Sequence, residues 1–464
     1  MKEFGFKKPL LFISEYDKTF FPISVGNREY RLALKKSESI HVSIALDRGN
    51  GLISVFKTEV FKEGYTEDNI VYIERLLKTL LWLKGGYKVT FGGPHYIGEY
   101  LQKVYCEGGE REFDYNFVKK IYGKKLIIDI VSINEVPFEN ENPKKIGGHL
   151  NGCRIGFDAG GSDRKVSAVV NGETIYSEEV VWHPKLSENP QYQYDGILDS
   201  MKSAAAKMER VDAIGISAAG IYIDNEVKAA SLFIKIPEDR FEEKVKRIFF
   251  DISEEMGYVP FEVANDGDVT ALAGALGLKK NGILGIAMGT SEAGGFVDKK
   301  GYITGWLNEL AFVPIDYSKN SMEDEWAGDI GCGVKYFSQD GIIKLADNAG
   351  VKFEDGLSPA EKLKVVQYMM AKGDKRARKI YEDVGYYLGY AIAYYAEFYD
   401  INHVLLLGRV TSGKGGDKII EKANKVLELE FPKLAKYIKV SMPDEKARRD
   451  GQSVAAASLP EIKR

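Results

Sequence analysis

The chain is poor in the residues that build disulfide frameworks and metal clusters. Its three cysteines, Cys106, Cys153 and Cys332, are far apart, and its five histidines, His41, His95, His149, His183 and His403, show no ligand spacing. This excludes a disulfide-stapled scaffold and a zinc knuckle, and favours a reducing compartment. Long apolar runs are also missing: the best membrane candidate, residues 384–396, is rich in tyrosine and glycine and shorter than the roughly 20 residues a spanning helix needs. Charge of one sign is not in excess, since 64 basic against 68 acidic side chains give −4, so no bulk field draws nucleic acid or an anionic membrane. The start, Met1 to Lys8, is not followed by an export segment. Together these absences predict a cytoplasmic protein with no nucleic-acid or membrane partner.

What is present is ordinary globular material, 464 residues with 44% hydrophobic and 28% charged, enough for two or three domains. Residues 136–152 collect Pro137, Asn140, Asn142, Pro143, Gly147 and Gly148, which is linker composition. Residues 1–150 are therefore expected to form an accessory α+β domain of unknown role. It has strands at 41–46 and 52–60 around the Arg48-Gly49-Asn50-Gly51 turn, a helix at 68–84, strands at 87–91 and 125–131, and no convincing helix-turn-helix. Ile44 to Asp47 and Val89 to Pro94 faintly echo the glycine loops further on, but an unrelated domain is the preferred reading. After Arg154, strands at 166–170, 174–181, 213–217, 283–287 and 403–407 alternate with helices at 191–208, 238–256, 376–399 and 418–429, a pattern that predicts α/β layers.

Four loops carry candidate chemistry. In Val263-Ala264-Asn265-Asp266-Gly267-Asp268, a short strand gives way to a small-residue helix at Asp266, where a carboxylate can take a proton from an incoming hydroxyl. Asp158-Ala159-Gly160-Gly161-Ser162 falls at a hairpin turn; its glycines let N–H groups approach phosphate and its carboxylate can hold magnesium, directly or through water, though a plain glycine turn reads as well. Gly289-Thr290, with Gly294-Gly295, suggests a second flexible turn with a hydroxyl donor. Within it, Glu292 is unfavourable beside phosphate unless a metal, Arg164 or Lys165 offsets it, and is expected to be a solvated turn carboxylate. Leu407-Gly408-Arg409 ends a buried strand in a crevice suited to a nucleoside, where Gly408 lets a flat base pass, or in an ordinary strand-to-helix loop. Residues 376–399 read most simply as a close-packed core helix. Trp306, Phe312 and Trp326 either stack on a sugar face or belong to the core.

The order of the Asp158 hairpin, Gly215-Ile216-Ser217-Ala218-Ala219-Gly220, Asn265-Asp266, Gly289-Thr290, Gly408 and Gly451-Gln452-Ser453-Val454-Ala455-Ala456-Ala457 resembles the sugar-kinase branch of the actin, hexokinase and Hsp70 superfamily. Within it the chain is most similar to the ROK family of sugar kinases and regulators, over roughly residues 154 to 459. The resemblance implies an α/β, two-lobed actin-like ATPase (ribonuclease H-like) fold with an additional N-terminal α+β domain, the lobes being residues 151–270 and 271–464. It further implies ATP and Mg2+ in the cleft, phosphorylation of a sugar-like hydroxyl, and a homodimer. Asp266 matches the catalytic base and Asn265 a sugar contact. Asp158, Gly160, Gly161 and Ser162 match the first phosphate loop, Gly289 and Thr290 the second, and Gly408 the nucleoside loop. Glu309, in Asn308-Glu309-Leu310-Ala311-Phe312, matches a sugar-binding glutamate.

The chain also departs from the ROK pattern. Phe312 replaces a histidine that contacts sugar and zinc, Cys332 is all that remains of the cysteine cluster, and Val334 replaces a second glutamate. Zinc is therefore not expected, and an ordinary hexose would lose polar partners. Gly328-Asp329-Ile330-Gly331-Cys332-Gly333, with Asn265-Asp266, also resembles the BadF/BadG family of N-acetylglucosamine kinases. Two functions follow: an ATP-dependent kinase of a sugar-like compound, favoured by Asp266, or a non-catalytic sugar or nucleotide sensor, favoured by Glu292, Phe312 and Val334.

Overall fold

Alternating apolar residues on either side of the Arg48–Asn50 turn fold back on each other as β1 (Ser39–Asp47) and β2 (Ile53–Phe61). The computed structural model describes residues 3–141, 144–443 and 445–462, the last stretch with side chains from 451 onward. Met1, Lys2, Asn142 and Pro143, which belong to the expected start and linker, lie outside the described residues. Around the hairpin come α1 (Ile23–Leu34), α2 (Thr66–Lys84), β3 (Lys88–Gly92), α3 (His95–Val104), α4 (Glu112–Tyr122) and β4 (Ile127–Val131). The sheet order is β2-β1-β3-β4, with β1 antiparallel to both neighbours and β3 parallel to β4.

The next unit comprises β5 (Cys153–Ala159), β6 (Asp163–Val170), β7 (Glu173–Val181), α5 (Pro190–Ala205), β8 (Ala213–Ala218), β9 (Ile221–Ile223), β10 (Glu226–Ala229), α6 (Glu238–Arg240), α7 (Ile248–Glu255) and β11 (Phe261–Asn265). Its sheet, β11-β8-β5-β6-β7, is parallel across β11, β8 and β5 and antiparallel beyond. Because β5 and β8 are parallel where β1 and β3 are antiparallel, the first sheet does not repeat this one. The single helix expected over 238–256 is broken: residues 241–245 form a π-turn, and the Lys246 carbonyl accepts from Val227 N–H of β10 (3.0 Å).

The second lobe contains α8 (Asp266–Leu278), β12 (Ile283–Met288), β13 (Glu292–Val297), the short β14 (Glu323–Asp324) and β15 (Asp329–Ile330), α9 (Gln339–Asn348), α10 (Pro359–Ala371), α11 (Lys375–Tyr395), β16 (His403–Leu407), α12 (Lys414–Glu430), α13 (Pro432–Ala435) and β17 (Lys439–Ser441). Its sheet order is β13-β12-β16-β17, with β12, β16 and β17 parallel. As expected, α11 is a core helix: a Cβ at Gly385 or Gly389 would come 2.7 Å from the Ile419 carbonyl or 2.8 Å from that of Ala423 on α12. The final helix, α14 (Glu445–Ala457), returns to the preceding sheet and lies on β5 and β8, where Gly156 and Gly215 leave no room for a Cβ against the Ser453 and Ala456 carbonyls. Among the described residues no helix is long and apolar enough to cross a membrane.

The N-terminal layer shares one apolar core with the second lobe, in which Tyr30, Tyr72 and Trp82 join Ile286, Leu310 and Tyr394, whereas the β5–β11 sheet has its own. A buried ionic cluster adds to this union. Arg75 and Lys78 of α2 reach Asp329 Oδ2 (2.8 and 2.9 Å), and Arg111 reaches Oδ1 (2.8 Å). Glu74 bridges Arg75 and Arg111 (2.7 and 2.6 Å), and Lys78 also meets Asp114 (3.3 Å). Burial of these charges is tolerated because each has an opposite partner.

Candidate active site

β11 ends at Asn265, whose side chain caps α8: Oδ1 accepts from Gly267 N–H and Nδ2 donates to the Gly220 carbonyl, both at 2.7 Å. Asp266 is thereby the first residue of α8, where the helix N-terminus favours a carboxylate, and its Oδ1 also accepts from Gly267 N–H (3.0 Å). The helix can begin here because β13 carries Gly294 and Gly295. A Cβ on Gly267 would strike the Gly294 carbonyl, and one on Gly295 would strike the carbonyl of Gly267. These two glycines, expected within a flexible turn, are strand residues required by close approach. The turn itself is confined to Gly289–Ser291, closed by Gly289 N–H to the Ser291 carbonyl (2.9 Å).

Asp158 stands near the end of β5, before the hairpin formed by Gly160, Gly161 and Ser162. Its Oδ1 accepts from Ser217 Oγ (2.7 Å) and Gln452 Nε2 (3.4 Å), which leaves Oδ2 without a hydrogen bond among the described residues. Trp182 holds the turn by donating Nε1 to the Gly160 carbonyl (2.8 Å) and N–H to that of Ser162 (3.1 Å). Burial, then the neighbouring Asp266, push Asp158 up to about 6. Burial also raises Asp266, opposed by the Gly267 N–H and by Lys185. Lys185, which packs on Gly161, escaped the sequence reading because it sits in a one-turn 3-10 helix with no motif around it.

Two further carboxyls belong to this region. Asp268 accepts from Phe296 N–H (3.0 Å) and Asn308 Nδ2 (2.8 Å) and is pushed up to about 7, chiefly by burial. Glu309 is raised to about 7 by burial, then by Asp266 and Asp268. Its backbone hangs on the end of α2: Asn308 and Glu309 N–H donate to the Leu83 and Trp82 carbonyls (3.0 and 3.1 Å).

Asn265 and Asp268 line a cavity of about 290 Å³ whose other walls include Gly220, Thr304, Trp306 and Asn50; Asp266 and Glu309 stand outside that wall. A second cavity, of about 240 Å³, unites Gly289 and Thr290 with Leu363, Gln367, Arg409 and Ser412, and the Asp158 hairpin has no part in it. Gly408 borders that second site without lining it. Its φ of 93° and its approach to the Met288 carbonyl, which a Cβ would strike, give the glycine a reason of its own, distinct from the passage of a base.

Glu292 is not the solvated turn residue expected. It lies directly across from the buried Met288 in the β12–β13 pair, so its side chain is turned inward; it is 3% exposed and pressed against Gly333, and neither carboxyl oxygen has a hydrogen-bond partner among the described residues. Burial alone pushes it up to about 8. Phe312 stacks on Trp82 (4.2 Å), and Val334 joins Ala311 and Cys332 in a small apolar cluster. Of the three aromatics weighed, only Trp306 reaches the first cavity, while Trp326 is 73% exposed.

Among the described residues no group of three His, Cys, Asp or Glu could hold a metal by itself. Asp158, with one uncommitted oxygen beside a second carboxyl, fits magnesium of the kind that takes one or two protein carboxylates and completes its shell with phosphate and water.

A model of the ROK family matches residues 154–450. No curated protein matches the sequence. Among solved structures, a ROK hexokinase from Thermus thermophilus superposes with a TM-score of 0.52 at 17% identity, covering 66% of this chain and 96% of that one. A ROK family transcriptional regulator, a homolog of the E. coli MLC protein, gives 0.53 at 17% identity, covering 67% and 78%. At such identity the likeness speaks for the two-lobed actin-like fold.

Proposed function

The chain belongs to the ROK family, and from that premise we propose that it transfers the γ-phosphoryl group of ATP to a hydroxyl of a sugar or sugar-like compound, with Asp266 as general base. The observation that carries this reading is the junction of β11 and α8: Asn265 faces a cavity, and the next residue offers a carboxylate at a helix N-terminus, beside Asp158 and the glycine hairpin. Burial raises the proton affinity of Asp266, which suits a base, against the opposing pull of the Gly267 N–H and Lys185. In the step, Asp266 takes the hydroxyl proton, the acceptor oxygen bonds to the γ-phosphorus, and the bond to the bridging oxygen breaks, its electron pair leaving with ADP.

Gly160, Gly161 and Ser162 would meet phosphate from the 151–270 lobe. Gly289 and Thr290 would do so from the 271–464 lobe, where the cavity next to Arg409 and the Gly408 turn takes the nucleoside. Asn265 and Glu309 would contact the acceptor. Asp158 would hold Mg2+, which supplies charge neutralisation on the transferring phosphate. Residues 1–150 would serve as an accessory layer on the acceptor side.

A sensor that binds without transfer is the second reading, favoured by the withdrawal of Phe312 and Val334 into apolar clusters. ATP turnover over a panel of sugars, polyols and amino sugars separates the two. With an active acceptor, Asp266→Asn should lower turnover by about 100-fold or more while nucleotide binding stays nearly intact; preserved turnover would refute the assignment of the base.

A further inference from the structure

Carboxyls crowd the β11–α8 junction: Asp266 raises Asp158, and Asp266 and Asp268 together raise Glu309. A triphosphate brought here adds further negative charge, so transfer needs cations beside it. Two basic residues that follow the hairpin on β6 are committed elsewhere. Arg164 donates Nε to Ser200 Oγ (2.8 Å) with its guanidinium over the Trp182 ring, and Lys165 pairs with Glu179 (3.4 Å).

Lys185 is not committed. Its ammonium has no hydrogen bond or ion pair among the described residues, and it lies against the hairpin: a Cβ on Gly161 would come 3.0 Å from Lys185 Cε and 3.1 Å from Nζ. The φ of Gly161 is not positive, so what the glycine provides is room. The charge of Lys185 is also felt at Asp266, which places it within reach of both the loop assigned to phosphate and the base assigned to the acceptor. The side chain is exposed, but the backbone that carries it is fixed. Trp182 is 2% exposed and donates to the Gly160 and Ser162 carbonyls (2.8 and 3.1 Å). Pro184 is buried, and its carbonyl accepts from the buried Gln193 Nε2 (2.9 Å). Lys185 is therefore carried on a segment tied to the hairpin.

We propose that Lys185 is a catalytic residue that binds the γ-phosphate of ATP against the hairpin and neutralises charge on the phosphoryl group as it moves to the acceptor. This rests on the kinase reading of the site. Lys185 gives up no proton. The acceptor's proton goes to Asp266, the bond from the γ-phosphorus to the bridging oxygen breaks with its electron pair leaving on ADP, and the ammonium stays charged throughout. An exposed side chain without partners can be changed at little cost to folding. Lys185→Met removes the charge at similar length, and Lys185→Arg keeps it.

Isothermal titration of the full chain with the magnesium complexes of AMP-PNP and ADP reads the contact without requiring turnover. Lys185→Met should weaken AMP-PNP by about 10-fold or more, the value of a hydrogen bond to a charged group, and leave ADP nearly unchanged. Lys185→Arg should recover most of the loss. With an acceptor found in the turnover panel, Lys185→Met should lower kcat by about 10-fold or more while the KM of the acceptor holds, a split that a merely structural lysine would not give. An unchanged ratio of AMP-PNP to ADP affinity in Lys185→Met overturns the proposal, even where an acceptor is phosphorylated. Selective loss of AMP-PNP in a chain that phosphorylates no acceptor keeps the γ-phosphate contact and removes the transfer reading.

Discussion

Replacing Asp329 by asparagine tests whether the N-terminal layer is joined to the second lobe as a structural unit. Asp329 is 3% exposed and accepts from Arg75, Lys78 and Arg111, each within 2.9 Å. With Glu74 and Asp114, three buried carboxylates face three buried cations; the asparagine leaves two against three, in a region that water does not reach. Breaking a buried pair from one side costs about 3–5 kcal/mol, and since the amide oxygen still accepts hydrogen bonds the expected loss is about 3 kcal/mol. A lowered urea midpoint, followed by tryptophan fluorescence with Trp82 one turn beyond Lys78, would register it. Asp329→Asn combined with Lys78→Met restores the charge balance and should recover most of the loss. Acid gives an independent check. Burial opposes the charge on Asp329, but Arg75 and Lys78 outweigh it and hold the group down to about 2. A depressed folded value means that the stabilisation is present above the ordinary value of 3.8 and lost as the pH falls through about 2. Wild type and Asp329→Asn should therefore converge across that window. A loss under about 1 kcal/mol at neutral pH, or a gap that persists to pH 2, would refute the reasoning.

Glu292 has the opposite sign. Burial raises it from 4.5 to about 8, so its contribution favours the fold below 4.5 and is lost as the pH rises through about 8. Glu292→Gln should stabilise the protein more at pH 9 than at pH 6 in urea titrations, and an equal difference at both values would show that the carboxyl is not buried as described. In the cavity between Thr290 and Arg409, Ala360→Trp adds bulk to a space of about 240 Å³. It should weaken nucleotide binding by about tenfold or more, a loss of about 1.4 kcal/mol; undiminished nucleotide affinity would remove that cavity from the nucleoside assignment.

Much of the fold could be read from local pattern. The strands around Arg48–Asn50, the helix α2, the hairpin at Gly160–Ser162 and the small-residue helix α11 are declared by periodicity, turn glycines and small residues at helical spacing, which act over a few residues. The interruption at 241–245 could not be read this way, because the Lys246 carbonyl is taken by Val227, a partner in another element. Glu292 departs from its local pattern for a related reason. Its neighbours Ser291 and Gly289 advertise a turn, but its register opposite Met288 decides which way it points.

The candidate site divides along the same line. Asp158, Asn265 and Asp266 are found in sequence because each sits where a strand ends in a glycine-bearing turn or a cap. Lys185, Arg48 and Thr304 are not, since only tertiary contact brings them to the two carboxylates and the cavity. The same holds for α2. Glu74, Arg75 and Lys78 have the spacing of a solvated helix face, but that face turns inward on Asp329, 254 residues beyond Arg75. At its far end α2 holds Asn308 and Glu309 by two backbone hydrogen bonds, Trp82 packs on Phe312, and the β1–β2 turn walls the cavity. A layer tethered by a linker alone would leave the Glu309 segment and the Asp329 loop to find their own support. Here both are held by one helix, so the geometry around Asp266 depends on residues that precede the family match.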